Sequence, residues 1–505
     1  MNENDQSQQL IIQSVSLNWA AQLFAEADLG DSRRTRRLLQ IAGSVVSSPG
    51  QSLLSSCDGK PAMKEGLYRW LENDAIDYRA IVDAGSAASK HWLQMVEGDI
   101  VAASDTSNIE VPHSLRHALG PLRHGKKGGS GKRGVLVHST VFQSALTGES
   151  IGLGDQEYWK RSDEAMGKKH QRHKRAYEEK ESFKWEAAIE RVCQKFPDFM
   201  RRFIFTMDRE GDIYELMTYL FNRSLRYVIR ASWNRRTNVP QRGVLDAALS
   251  AQLLGTVRMD IPQKGGRKGR DAVLEIRSQR ISLQPPPGKE SLPFLDVNVV
   301  YIKEPNREDG LSWTLLTSEP VETLDDALYV VRAYRLRWKV EEFHNTWKSG
   351  GVNVEGLRLQ SESALLKAAA VLAFSAIRLA QLRDEADPEL LRIRTEMEII
   401  SRGGKPVSKS ENASITQGLT SPERSCTTVL SELEWRILWA HHNKGKPLPK
   451  EIPTRTWAYR HIGHLGGWFD SKRTGRVGIK AYWKGYWRLQ AMVNGYLLAQ
   501  EAGLF

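Results

Sequence analysis

Hydrophobic and polar positions along this chain follow two rhythms, and each change of rhythm marks a new part. Residues 1 to about 75 carry apolar positions at helical spacing, as in ADLGDSRRTRRLLQIAGSVV, where Leu38, Leu39 and Ile41 follow a run of arginines. From about residue 96 the spacing shortens. The run GDIVAASDTSN reads as a strand with the carboxylate of Asp105 near its end. VLVHSTVF (135–142) and SIGLG (150–154) read as a hairpin, and SFKWEAAIERVCQKF as a helix. RRFIFTMDREGD is a strand closed by Asp208, a helix follows from about Ile213 to Phe221, and RYVIRAS is a further buried strand ending near Arg230. Strand, hairpin, helix, strand, helix, strand predicts a mixed α/β sheet rather than a bundle or a sandwich.

Residues 236–318 then break into strand-like pieces (TVRMDIPQ, AVLEIRSQRISL, LDVNVVYIKE, SWTLLTS) separated by GGRKGR and PPPGKE. Prolines and glycines in those breaks mark hairpin loops, so the region is predicted as an antiparallel insertion in the α/β domain. Beyond it, ALLKAAAVLAFSAIRLAQLR predicts an apolar helix packed on the sheet. A Ser-, Gly- and Lys-bearing stretch, SRGGKPVSKSENASITQGL, separates that helix from a last helical unit containing LGGWFDSKRTG and YWKGYWRLQAMVNGYLLAQEAGLF. Three domains are predicted: a helical one over 1–75, an α/β one over 76–384 holding the insertion, and a helical one over 385–505.

Between insertion and apolar helix lies YRLRWKVEEFHNTWK, Tyr334 to Lys348, behind a helix start signal in which Thr323 and Asp326 have capping-box spacing. On a helical wheel of about 100° per residue, Arg337, Glu341, His344 and Lys348 fall within an arc of roughly 80°. Glu342 falls outside it. A carboxylate among cations on one stripe suits holding a metal and a polyanion together, the carboxylate as hard ligand and the cations on phosphate oxygens. Trp338, Phe343 and Trp347 crowd the same segment.

Charge sharpens the picture. The 505 residues hold 72 Lys and Arg against 60 Asp and Glu, a formal net charge of +12 with a pI near 9.4, which favours a polyanionic partner, nucleic acid first. Arg33, Arg34, Arg36 and Arg37 stand at the start of a helix, where cations oppose the helix dipole. They are predicted to meet phosphate. The phrase EGLYRWLEN, the loop LRHGKKGGSGKRG and the charge-dense run containing KKHQRHKR add further basic sequence. Three cysteines, far apart and without CxxC spacing, exclude a disulfide scaffold or a zinc ribbon, and His441, His442, His461 and His464 lack zinc spacing. The polar N-terminus lacks the pattern of a signal peptide, and the most apolar run, Ala368 to Ile377, is too short to span a bilayer. A cytoplasmic location without membrane contact is expected.

Asp105, Asp208 and Glu341 are the acids that stand out. Two carboxylates at strand ends and a third on a facing helix would hold two divalent ions for phosphoryl transfer, and magnesium suits that work.

Tyr334, Arg337, Glu341 and Lys348 resemble the Y-(2)-R-(3)-E-(6)-K signature of the insertion-sequence-four family of bacterial DDE transposases. DLGDSRRTRRL, EGLYRW, DREGDIY, WTLLTSEPVE, RWKVEEFHNTWKSG and LGGWFDSKRTG are similar to further family phrases, in the same order along nearly the whole chain, whereas residues 385–455 match poorly. The resemblance implies a ribonuclease-H-like mixed sheet with an inserted antiparallel β region, flanked by a helical DNA-binding domain and a helical dimerisation domain. It implies a cut-and-paste transposase that nicks transposon ends, forms and resolves a hairpin, and joins 3′ ends to target DNA. The catalytic and metal residues would be Asp105, Asp208 and Glu341, with two Mg2+ ions per active site for which Mn2+ may substitute. DNA contacts would be Tyr334, Arg337, Lys348, Arg230, His344, Trp338, Arg33, Arg34 and Arg37, with Trp313 stacking on a base flipped from the transposon end. The partners would be double-stranded DNA, as transposon end and as target, and a second copy in a synaptic homodimer, with the bacterial protein on the nucleoid when DNA-bound. The alternative is a catalytically silent transposon-end DNA-binding protein or an inhibitor of transposition.

Overall fold

The computed structural model describes residues 19–47, 53–57, 61–122, 131–163, 175–239, 243–261, 269–350, 352–387, 397–408, 425–471 and 476–504. The basic loop at 123–130, the charge-dense run at 164–174 and much of the Ser- and Gly-bearing stretch after 408 lie outside them. The molecule is mixed α/β, with a large, mostly antiparallel sheet and helices at both ends.

Four N-terminal helical segments come first: 19–24 (α1), Ser32–Ser47 (α2), Pro61–Leu71 (α3) and Tyr78–Met95 (α4). Strand β1 (Ile100–Glu110), the short β2 (Gly120–Pro121), β3 (Arg133–Ser144) and β4 (Ser150–Trp159) follow, then α5 (Lys184–Lys195), β5 (Phe203–Met207), α6 (Tyr214–Asn222) and β6 (Arg226–Arg230). The predicted hairpin is the β3–β4 pair, whose turn bends at Gly148 with φ 75°, a backbone state that suits glycine. Next come α7 (Val244–Ser250), β7 (Gln252–Ile261), β8 (Arg270–Leu283), β9 (Leu295–Lys303) and β10 (Ser312–Thr317). These four strands are the predicted antiparallel region. They are not a separate layer: β10 pairs with β6, so the insertion continues the α/β sheet edge to edge.

Two parallel steps decide where the site falls. β1 lies between β3, antiparallel to it, and β5, parallel to it, and β5 is parallel to β6. The β1–β5 pairing stops at Ala103 opposite Thr206, whereas β3 accompanies β1 to Glu110. Asp105 is therefore not at a strand end as expected. It sits in mid-strand, two residues past the point where the parallel neighbour leaves. Asp208 follows β5 directly, so the same register carried two residues on brings it beside Asp105.

Thr323 caps α8 (Leu324–Leu336) with the expected box: its hydroxyl accepts from the Asp326 amide at 3.3 Å, and the Asp326 carboxylate accepts from the Thr323 amide at 2.8 Å. The helix expected to run unbroken to Lys348 is divided. It stops at Leu336, α9 (Trp338–Asn345) restarts after Arg337, and Thr346–Gly350 widens into a π turn. A tightened step at Arg337, whose amide donates to the Tyr334 carbonyl at 3.1 Å, and the wide turn at the other end both break the 100° wheel.

α10 (Glu362–Ala386) runs through the centre. Phe24 meets Phe374 edge to face at 5.4 Å, the Lys367 ammonium donates to the Asn73 carbonyl, and the Trp347 indole N–H donates to the Ala369 carbonyl. N-terminal helices, sheet and site helix thus share this one support. By length and composition α10 could cross a membrane, but 83% of its apolar window is buried inside the protein. The 385–505 region is not all helical: β11 (Met397–Arg402) and β12 (Lys405–Pro406) extend the sheet, β11 pairing with β7. Their short length, six and two residues, hid them. The last unit, α11 (Glu432–His442), α12 (Arg455–Leu465) and α13 (Ile479–Glu501), has its own core around Leu438, Ile462 and Leu489.

Candidate active site and nucleic-acid interface

Asp105, Asp208 and Glu341 come from β1, the turn after β5, and α9, and Arg337 stands between Asp105 and Glu341. Its guanidinium lies 4.0 Å from Asp105 and 3.6 Å from Glu341. Burial raises the Asp105 carboxyl well above the usual carboxylate range; the Glu341 charge adds to this, Arg337 opposes it and the Asp208 charge adds again. A buried carboxylate facing the charges of two others is a hard-oxygen set short of positive charge, which is the chemistry that suits a divalent cation. Among the described residues, no three His, Cys, Asp or Glu side chains stand close enough to share one ion. Arg337 supplies the cation between them, and one of its nitrogens, Nη1, is buried without a hydrogen-bond partner. A buried N–H left in that state is suited to a ligand oxygen.

Asp208 also caps a short turn, accepting from the Glu210 amide at 2.8 Å. Glu342 points elsewhere, into a 3.0 Å ion pair with Arg383.

The other expected contacts divide into two groups. Tyr334, Arg230 and Trp313 form one side of the site. Arg230 on β6 donates to the Ser312 carbonyl at 3.1 Å and to the Tyr334 phenol, and Trp313 on β10 meets Tyr334 edge to face at 5.2 Å. Burial, first of several causes, raises the Tyr334 phenol and lowers the Arg230 guanidinium from their ordinary values. Lys348 lies on the other side, 2.9 Å from Asn108 and 3.2 Å from Glu355. Trp338 is 43% exposed.

His344 does not join the stripe that the wheel drew. It is 3% exposed, its Nε2 lies 3.1 Å from the Ser139 hydroxyl, and burial, then Lys348 and Arg337, lower its imidazole to about 3. It is a neutral group holding α9 to β3, out of reach of a DNA surface. Packing against β3, not a break in the helix, covers it.

Arg33 projects from α2 with 84% of its side chain exposed, paired with Asp31. Arg34 instead donates to the carbonyls of Leu29 and Ala75, and Arg37 packs over Gly66 of α3. Arg36, part of the same run, is exposed. The available cations of this helix are thus Arg33 and Arg36, while Arg34 braces the unit.

Sequence reasoning missed a polar cleft beside the triad. It has a volume of about 340 Å³, and its lining includes Arg161, Lys184, Lys348, Asn108, Glu181 and Glu210. Lys184 opens α5, a cation at a helix N-terminus, the same signal that singled out Arg33.

Residues 16–76 match the family described as transposase DNA-binding. The match covers the four-arginine run and the EGLYRW phrase. It supports a transposase, or a protein that binds transposon ends, with DNA as its partner.

Proposed function

We propose that this chain is a cut-and-paste DNA transposase of the insertion-sequence-four family, of the kind transposon five encodes, that nicks transposon ends, forms and resolves a hairpin, and joins the 3′ ends to target DNA. The observation that carries the reading is that Asp105 feels the charges of both Glu341 and Asp208 and shares Arg337 with Glu341, in a chain whose N-terminal residues match a transposase DNA-binding family. A sheet in which an antiparallel hairpin and a parallel pair meet at β1, with carboxylates at that junction, supports a ribonuclease-H-like core.

Asp105, Asp208 and Glu341 would hold Mg2+, or Mn2+ in its place, which supplies an activated water or 3′ hydroxyl and steadies the leaving oxygen. The residues around them do the rest. The orphan Arg337 donor takes a phosphate oxygen of the scissile strand, and Lys348 takes another. Tyr334 and Arg230 hold each other and steady the indole of Trp313, whose face stacks on an extruded base. Arg33 and Arg36 grip the end through phosphates. Pairing of two ends requires two copies, and α13 exposes Trp487, Tyr496 and Leu498 for that contact.

The test is single-turnover nicking of a labelled transposon end. Asp105→Ala, Asp208→Ala and Glu341→Ala should each abolish nicking and leave end binding within about threefold. A variant that still nicks removes its residue from the assignment. A second reading, a catalytically silent end-binding protein or transposition inhibitor, draws on one observation: among the described residues no three ligands are placed to share an ion. Binding without nicking by the unmodified chain, in Mg2+ and in Mn2+, would favour it.

A further inference from the structure

Four histidines whose spacing along the chain fits no zinc motif are gathered by the last helical unit. His441 and His442 end α11, while His461 and His464 stand one turn apart on α12. The rings of His442 and His461 meet across the two helices with centres 4.5 Å apart, and His464 stands 6.1 Å from His461 and 6.5 Å from His442. Indoles fix the helices at this point. Trp439 of α11 and Trp457 of α12 lie 5.7 Å apart, the Trp439 indole N–H donates to the Pro447 carbonyl between the helices at 3.1 Å, and Trp457 stacks on His461 at 4.6 Å.

The hydrogen bonds decide which nitrogen each ring offers. A carbonyl can only accept, so His461, with Nδ1 2.8 Å from the Trp457 carbonyl, carries its proton on Nδ1, and the neutral ring has its lone pair on Nε2. His464 is held in the same way, its Nδ1 3.0 Å from the Trp468 carbonyl. The Nε2 of His442 is buried without a hydrogen-bond partner among the described residues. Burial first, then the neighbouring His461 and His441 rings, lower the His442 imidazole to about 4, and burial lowers that of His461, so both are neutral at pH 7. A ring whose N–H is tied to a backbone carbonyl and whose other nitrogen is left over is oriented as metal-binding imidazoles are.

We propose that His442 and His461 form a binding site for a divalent transition ion that prefers imidazole, such as Zn2+, Ni2+ or Cu2+, which fastens α11 to α12 with water completing its coordination. Two imidazoles holding one ion at about 2.0–2.1 Å place their ring centres roughly 5 Å apart, close to the 4.5 Å of this pair. His464 stays outside the pair, since among the described residues no three such side chains stand close enough to share one ion. Imidazole suits these ions and carboxylates suit Mg2+, so the pair and the triad would take different metals. The site lies outside the transposase reading and does not depend on it.

The test uses the untagged full chain carrying Glu341→Ala, which weakens the triad as a competing site, freed of metal with EDTA and titrated with Zn2+ by calorimetry. Zn2+ should bind saturably and raise the temperature at which the C-terminal unit unfolds. His442→Ala and His461→Ala should each weaken Zn2+ at least about tenfold, while His464→Ala stays within about threefold. His442→Asn and His461→Asn, which keep a polar group of similar size without Nε2, should weaken it alike and serve should the alanine variants misfold. Cu2+ on the chain with both rings intact should show imidazole nitrogen couplings in its electron paramagnetic resonance spectrum, a readout that needs no variant. Unchanged Zn2+ affinity in the His442 and His461 variants, no saturable Zn2+ binding with both rings intact, or a copper spectrum without imidazole nitrogen would overturn the proposal. A loss in His464→Ala as large as in the other two would overturn the pair as the site. Nicking and joining are not measured in any arm, so the transposase reading stands or falls separately.

Discussion

Removing the carboxylate of Asp384 should unfasten the C-terminal unit from the candidate active site. Asp384 is fully buried near the end of α10 and accepts from the Ser150 amide at 3.0 Å and the Ser150 hydroxyl at 2.8 Å. Three cations converge on it: Lys339 of α9 at 3.0 Å, Arg383 at 2.5 Å and Arg476 at 2.7 Å, the last from the segment leading into α13. Arg383 also holds Glu342 on α9, and Arg476 pairs with Asp387. One carboxylate therefore joins the hairpin, the central helix, the site helix and the C-terminal unit. In Asp384→Ala the cations lose their central counter-charge without access to water. Breaking a buried pair in that way costs about 3–5 kcal/mol, and here the two serine bonds are lost as well. Urea unfolding followed by tryptophan fluorescence and by limited proteolysis reads this out. The C-terminal transition should move to lower urea by that amount, with early release of a fragment holding α11 to α13.

The pH dependence gives the sign. Arg383, Lys339 and Arg476 overcome the cost of burial and hold the Asp384 carboxyl far below the usual range. Its contribution is thus fully present above the unfolded value of about 3.9 and fades as pH falls below it. The gap between unmodified chain and Asp384→Asn should be flat from about pH 5 to 6, change as the buried Lys339 ammonium, which burial lowers to about 8, loses its charge, and shrink in acid. A cost below about 1 kcal/mol, or a gap that widens in acid, would refute the counter-charge role.

Arg33→Ala should lower the salt slope of DNA binding by about 0.9 and leave the melting temperature unchanged. Arg34→Ala, by losing two carbonyl ties, should cost about 1–3 kcal/mol of stability in the N-terminal unit, read by thermal unfolding. Trp313→Ala should spare nicking but slow hairpin formation about 5- to 150-fold, the range of one base stack of about 1–3 kcal/mol, as followed by gel and by 2-aminopurine fluorescence. His344→Ala should destabilise the α9–β3 contact and leave the salt slope of DNA binding intact; a lower slope would return His344 to the DNA surface.

Local rules carried far in this chain. The capping box at Thr323, the β3–β4 hairpin, the strand before Asp208 and the antiparallel pieces after residue 250 were all legible, because each is encoded by neighbours within a few residues. What failed depended on partners distant in sequence. Asp105 reads as a strand-end residue because polar residues follow it, but β3 continues the ladder on one side while β5 stops on the other. The wheel placed His344 beside Glu341, and within α9 the two do stay one turn apart, but the wheel does not show that β3 covers the His344 ring. Arg34 and Arg33 are adjacent and alike in sequence, and only the carbonyls of Leu29 and Ala75 separate a brace from an available cation. Lys184 had a legible signal, but the cleft it lines is assembled from six separate segments.

The most direct measurement is magnesium-dependent release of a DNA segment from a plasmid carrying this element's own flanking ends, with the unmodified chain and Glu341→Ala side by side. Release by the unmodified chain alone is the expected result and would give α9 its catalytic role. Binding without release by both, with Mn2+ supplied as well as Mg2+, would contradict it and leave a transposon-end DNA-binding protein.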